Sequence, residues 1–312
     1  MPSISAKMKI KDRVQSYWED TGIWQRIDMP NDSLKIKQFL VQEYNLIPQK
    51  ERIGKGSVFI AQTVAKFSID ILLRYQQKSS FDIITGIFNF PDPSRDNHMS
   101  NYALALLGEF SCFSEANMYQ ALNQITQWID HPFWEIREMC PYPVRLAFSK
   151  YPEQVLKILH KWLESSNENL RRTAIESLRP LAENKWLRDS TKNDCIIDLM
   201  SRVKTDPSIY VRKSVGNNLK DLTKYMPEKI LGILEKWISN ANIEVTDDLA
   251  SKSEKELGKE NYRLVWTMKH ALRWLKERNP EYYPRIEKIL GKNYVLYFNE
   301  KKNTLASPVD IP

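Results

Sequence analysis

Pro152-Glu153-Gln154-Val155-Leu156-Lys157-Ile158-Leu159-His160-Lys161-Trp162 returns 75 residues later as Pro227-Glu228-Lys229-Ile230-Leu231-Gly232-Ile233-Leu234-Glu235-Lys236-Trp237. Each copy begins with a proline, which the first turn of a helix accepts because the N–H it lacks has no partner there. Apolar residues then follow at i, i+3, i+4 and i+7 (Val155, Ile158, Leu159, Trp162), the spacing of one buried helix face. A polar turn and a second helix come after each copy. The anchors of the second helices, Ile136-Arg137, Leu170-Arg171-Arg172 and Val211-Arg212-Lys213, are spaced by 34 and then 41 residues. One such helix pair cannot bury its apolar face alone, so pairs at this period stack. The pattern predicts an all-α fold, a HEAT-like (armadillo-type) α-solenoid of antiparallel helix pairs, with repeats countable from Tyr102 to Lys276. Asp130-His131-Pro132 and Asp206-Pro207 read as the cap and first residue of the second helices.

Upstream of the repeats, Val14 to Arg26, Ser33 to Tyr44 and Ser57 to Gln77 read as helices, with Arg52 to Ser57 and Phe90 to His98 as loops. The organisation expected is an N-terminal helical region over 1–100, a repeat region over 101–290, and a C-terminal tail over 291–312 that shows no periodicity and either frays or packs as a tail. Only 9 glycines in 312 residues favour long helices over a turn-rich sheet. Cys112, Cys140 and Cys195 are odd in number and far apart, which suits a reducing, cytoplasmic setting and no disulfide framework. No stretch has the length of a membrane span, and Met1 to Lys11 lacks the apolar core of a signal peptide. The four histidines show no zinc spacing, and no Ser-His-Asp or Cys-His arrangement is present. Gly54-Lys55-Gly56-Ser57 lacks the full spacing and preceding strand of a phosphate loop. No metal and no cofactor are therefore expected.

The formal charge is +7, and Lys252 to Lys292 alone holds eleven Lys/Arg against six Asp/Glu. A polyanionic partner is one reading of that excess; ordinary solubilising charge is the other. Patterning favours the first. Arg172, Glu176 and Arg179 share one face of their helix, and the aligned face one repeat on is Lys213, Asn217 and Lys220. Lys269, Arg273, Lys276 and Arg278 continue the stripe, so a basic concave face for phosphate oxygens is expected, of monomeric protein on double-stranded DNA. Glu176 stands against this trend: it either has a task of its own or pairs with Arg172 or Arg179. Asp221 raises the same question, or caps its helix end. Trp128, Trp162 and Trp237 read as core, whereas Trp186 follows Pro180 off the helical register and either projects into a groove or plugs a gap between repeats.

Two stretches, Asn169 to Pro180 (Asn-Leu-Arg-Arg-Thr-Ala-Ile-Glu-Ser-Leu-Arg-Pro) and Asp206 to Leu222 (Asp-Pro-Ser-Ile-Tyr-Val-Arg-Lys-Ser-Val-Gly-Asn-Asn-Leu-Lys-Asp-Leu), resemble the AlkC/AlkD superfamily of DNA alkylation repair proteins. Trp266 to Leu275 resembles that family's closing repeat, and the likeness runs from about Trp134 to Lys276. The resemblance implies a monofunctional glycosylase that excises cationic N3- or N7-alkylated bases from duplex DNA, without flipping the base, by electrostatic stabilisation of an oxocarbenium sugar. By motif, Glu176 matches the glutamate after the double-basic helix start, Asp221 the acid after paired asparagines, and Trp186 approximates an aromatic after Arg-Pro at a longer spacing. For an earlier glutamate of AlkC-like members Glu135 and Glu138 are the nearest candidates, and a Trp-x-x-x-Glu reading favours Glu138. The immunoglobulin-like C-terminal domain of some AlkC proteins is expected to be missing. Arg171, Arg172, Arg179, Arg212, Lys213, Asn217, Asn218, Lys220, Lys269 and Arg273 are the expected DNA contacts. Two alternatives predict different behaviour: a non-catalytic DNA-structure binder would bind equally and release no base, and a protein-interaction scaffold would bind DNA weakly.

Overall fold

A computed structural model describes residues 6–25, 27–28, 31–49, 56–76, 79–91, 97–299 and 304–305. These residues divide into two compact units that meet within one helix, unit 1 ending at Val155 and unit 2 beginning at Leu156. Gly54, Lys55 and most of the expected Arg52–Ser57 loop lie outside the described residues, as do 92–96 of the second expected loop.

Unit 1 holds α1 (Ala6–Thr21), α2 (Asn31–Asn45), α3 (Ser57–Gln76), α4 (Ser80–Phe88), α5 (His98–Ser111), α6 (Glu115–Trp128), α7 (Trp134–Met139) and α8 (Pro141–Lys150). Its centre is α5, which packs against α3, α4, α6 and α8. The reason is compositional: Asn101 to Gly108 contains no charge and every residue of it is buried, as a helix apolar all round must be. Gly108 permits the closest approach, since a Cβ there would lie 2.8 Å from Leu146 Cδ1 and 3.1 Å from the Pro143 Cα on α8. Arg13 on α1 forks onto Glu43 of α2, both bonds at 2.6 Å, and Trp18 donates to Ser68 Oγ of α3 at 2.7 Å. Trp128 stacks on Phe88 with ring centroids 3.7 Å apart and is core, as expected.

The quoted repeat is α9 (Pro152–Leu163), the helix at which the units meet, and α13 (Pro227–Asn240) of unit 2. Val155, Leu159 and Trp162 are buried, as are Ile230, Leu234 and Trp237, while Ile158 and its counterpart Ile233, read as part of the same face, are half-buried at its edge. Unit 2 further contains α10 (Glu168–Glu176), α11 (Asp194–Arg202), α12 (Ile209–Thr223), α14 (Glu254–Leu257), α15 (Lys259–Arg278), α16 (Tyr283–Leu290) and α17 (Lys292–Tyr297). Here α10 packs on α12 and α12 on α15, while α13 joins α12 to α16. The fold is all-α and built of repeated helix pairs. The C-terminal segment begins with α17, which rests against the turn Leu249–Ser251, and a two-residue antiparallel pair of Phe298–Asn299 with Thr304–Leu305 follows it. Tyr294 holds α17 in place: it is fully buried and its hydroxyl donates to the Lys269 carbonyl at 2.8 Å.

Two helix starts differ from the expectation. α7 begins at Trp134, because His131 Nδ1 accepts the Phe133 N–H and keeps that residue in the loop. α12 begins at Ile209 with Ser208 as its cap, its hydroxyl accepting the Tyr210 N–H, while Asp206 accepts the Ser208 N–H from one step further out.

Candidate nucleic-acid interface

The arginine that opens each second helix performs one repeated task. Arg171 Nη1 donates to the carbonyls of Ser165 and Ser166, both at 2.9 Å, and Arg212 Nη1 donates to those of Asp206 and Pro207 at 2.5 and 3.0 Å. In unit 1, Arg137 Nη1 reaches His131 and Pro132 at 2.6 and 3.1 Å. Each captures the carbonyls six and five residues before it, closing the loop that precedes its own helix. Arg171 also forks onto Asp206, at 2.7 and 2.9 Å, which ties α10 to the start of α12 and raises the guanidinium's pKa through that hydrogen bond. Arg212 is 7% exposed and lies 5.4 Å from the Trp266 ring, with its pKa lowered by burial and then by Arg263. Arg171 and Arg212 are thus turned inward, onto the frame.

Asn218 and Lys269 are framework too. Asn218 Nδ2 donates to the Ile175 carbonyl of α10 at 2.8 Å from a fully buried position. Lys269 is 8% exposed, donates to the Ala250 carbonyl at 2.9 Å, and is pushed by burial to a pKa of about 8.

A charged cluster forms where the end of α10 meets the second half of α12. Glu176, read as part of an open stripe, is in fact 8% exposed. The chain turns after it, and Arg179 lies between two carboxylates: 3.5 Å from Glu176, and bonded to Asp221 Oδ2 through Nη2 at 2.5 Å and Nε at 3.0 Å. The other Asp221 oxygen accepts from Lys224 at 3.0 Å and pairs with Lys220 at 3.1 Å. Asp221 sits inside α12 and is the hub of three cations, not a cap. Burial raises its pKa, and Arg179 with Lys224 and Lys220 more than reverses this, leaving it below the ordinary carboxylate value. Burial likewise lowers Lys220, and Asp221 opposes it.

Along α12, Lys213, Asn217 and Lys220 share a face at i, i+4 and i+7. Lys213 is exposed; Asn217 and Lys220 are half-buried. Asn217 Oδ1 accepts from Arg273 at 2.6 Å and meets His270 Nε2 at 3.2 Å, both on α15. His270 stacks on Trp266, with centroids 5.3 Å apart and planes 13° from parallel. Trp274, on the same helix, has the Lys224 and Arg278 cations over its ring at 5.8 and 5.4 Å. Sequence reasoning passed over His270 and Trp274; a charge stripe interrupted by aromatics at helical spacing, Trp266-His270-Trp274, was the available signal. Arg172 is half-buried on α10, and Trp186 is half-buried in a 3₁₀ turn, Lys185–Arg188. Glu138 lies on α7 of unit 1, exposed.

Among the described residues, no three His, Cys, Asp or Glu side chains are grouped to hold a metal ion, and no helix is long and apolar enough to cross a membrane.

Residues 97–275 match the family model described as DNA alkylation repair enzyme. The Bacillus subtilis (strain 168) protein named "Uncharacterized protein YhaZ" is 26% identical over 200 residues, a match that covers 63% of this chain and 50%, about half, of that protein's length. Among solved structures, the Pseudomonas fluorescens alkylpurine DNA glycosylase AlkC, bound to DNA containing an abasic site analog, superposes with a TM-score of 0.54 at 16% identity, over 94% of this chain and 67% of that one. AlkD2 from Streptococcus mutans gives 0.43 at 19% identity, over 85% and 98%. At these identities the AlkC likeness speaks for the fold.

Proposed function

The chain belongs to the DNA alkylation repair enzyme family, and on that premise we propose that it is a glycosylase that hydrolyses the N-glycosidic bond of cationic, N3- or N7-alkylated bases in duplex DNA. Such a base leaves with the bonding electron pair and becomes neutral, so no acid has to protonate it. What the protein must supply is negative charge near the sugar as the C1′–N bond breaks, and a place for the water that adds to C1′ and gives up its proton. The base need not leave the stack for this, because the scissile bond lies on the backbone side.

The observation that carries this reading is the Glu176–Arg179–Asp221 bridge, wholly inside the matched segment. The two carboxylates differ in what they have left to offer. Asp221 has three cations around it, whereas among the described residues Glu176 pairs with Arg179, at the longer distance of 3.5 Å. Glu176 is therefore the carboxylate that faces the sugar, with Asp221 as the positioning residue that holds Arg179 against it. Trp186 and Glu138 enter as further candidates through the family motif. Lys213, Asn217, Lys220, Arg172 and Arg273 are the phosphate-side contacts; Arg171, Arg212, Asn218 and Lys269 support the frame from within.

The test is release of free modified base from methylated duplex DNA, wild type against Glu176→Gln at matched DNA occupancy. Loss of one preorganised charge at the transition state lowers release by about 10²–10³-fold while binding persists. No release by wild type, with duplex binding intact, would leave a non-catalytic DNA-structure binder. The offset charge of Asp221 is the one observation that favours this second reading.

A further inference from the structure

A buried histidine that neither the proposed chemistry nor the charge stripe uses sits directly behind Asn217. His270 is 8% exposed and packs against the backbone of α12 at Gly216, where a Cβ would lie 2.7 Å from its Cδ2; only glycine allows the ring to come so close. The hydrogen-bond roles follow from chemistry alone. A guanidinium only donates, so the Asn217 atom 2.6 Å from Arg273 Nη2 is the carbonyl oxygen. The same oxygen faces His270 Nε2, so Nε2 carries the proton and donates. His270 Nδ1 is then a bare lone pair, and it is buried without a hydrogen-bond partner among the described residues. With Arg273, Lys213 and Lys220 all near the ring, a second proton has nowhere to be compensated, and burial followed by these three cations depresses the imidazole pKa to about 3. His270 is thereby a fixed neutral donor.

Two donors on Oδ1 settle which end of the amide is left over. Asn217 Nδ2 makes no hydrogen bond among the described residues, and it stands on the α12 face between Lys213, one turn before, and Lys220, one turn after. Lys213 is exposed. The carboxylate that shares this face, Asp221, is already engaged by Arg179, Lys224 and Lys220.

We propose that His270 is a positioning residue for bound DNA: by donating to Asn217 Oδ1 it turns the amide so that only its NH₂ group faces out, as a donor to a phosphodiester oxygen between the two lysines. The proposal rests on the DNA-binding reading above, and its ligand is the strand backbone, not the base.

Full-length protein carrying ¹⁵N-histidine and a fluorescent duplex test it. The His270 ring shows a protonated Nε2 and an unprotonated Nδ1, unchanged from about pH 8 to about pH 5, the range in which an ordinary histidine titrates. His270→Phe keeps the stacking ring and loses the donor, and weakens duplex binding about fivefold; His270→Gln, which restores a donor, recovers to within about twofold. The slope of log Kd against log salt is unchanged in His270→Phe, because no phosphate-neutralising charge is lost. Asn217→Asp keeps the acceptor for both α15 donors but turns an oxygen outward, and weakens binding tenfold or more. Wild-type affinity in His270→Phe or in Asn217→Asp, or a His270 that charges within that pH range, would overturn the proposal and leave the DNA reading standing. A wild type that binds no duplex would overturn both, and an intact Nε2-H signature would then assign the failure to the ligand and not to the amide's orientation.

Discussion

Replacing Asp221 by asparagine removes the charge on which three cations converge and keeps the side chain's shape. Its oxygens accept from Arg179 at 2.5 and 3.0 Å and from Lys224 at 3.0 Å, and face Lys220 at 3.1 Å. The Asp221 side chain is 8% exposed and that of Arg179 26%, so water screens the pair only in part. Removing one member of a buried pair costs roughly 3–5 kcal/mol. The amide carbonyl still accepts one of these bonds and the lysines turn to water, which reduces the loss to about 2 kcal/mol. For a cooperative unit of this size, that lowers Tm by about 4–8 °C. The sign with pH follows from the depressed carboxyl: its stabilisation is complete above the unfolded value of about 3.9 and is lost as pH falls through the lower folded value. The gap between wild type and variant is therefore full at neutral pH and closes only in acid.

Duplex affinity moves the other way. Without Asp221, Arg179, Lys220 and Lys224 face Glu176 alone, so the variant binds DNA more tightly and its salt slope steepens by about 1–2, each further phosphate contributing about 0.9. Thermal scans and a salt series of anisotropy titrations read both effects. A variant with unchanged Tm, or one whose DNA binding weakens on a shallower slope, would refute the hub and make Asp221 a direct ligand contact.

Arg171→Ala leaves the Asp206 carboxylate and two loop carbonyls without their partner and costs about 3 kcal/mol, with the salt slope of DNA binding unchanged; a shallower slope at unchanged Tm would return Arg171 to the interface. Lys213→Ala does the reverse, lowering the slope by about 0.9 with a stability change within about 0.5 kcal/mol, and a stability loss without a slope change would count against it. His270, neutral in the fold to about pH 3, makes the protein less stable as pH falls, because below about 6.5 the unfolded chain takes up a proton that the folded ring refuses. The loss is about 1.4 kcal/mol per pH unit, appears as the difference between wild type and His270→Phe in denaturant melts, and is refuted by parallel pH profiles.

How far the sequence could be read depends on whether a residue's partner lies within reach of a periodic pattern. The 75-residue recurrence marks α9 and α13 because a buried face is a property of one helix, and Val155, Leu159, Ile230 and Leu234 record it directly. Helix starts were legible only to within a few residues, since the caps are decided by loop bonds such as His131 to Phe133. Glu176 and His270 depend on chain that returns from elsewhere, a turn at Arg179 for one and α15 for the other, and no spacing encodes that. The repeated arginine is the instructive case. Leu170-Arg171-Arg172 and Val211-Arg212-Lys213 look like pairs of equal phosphate ligands, yet the first of each pair closes its own loop through carbonyls six and five residues back. Because Arg137 does the same in unit 1, the role belongs to the repeat and not to the ligand.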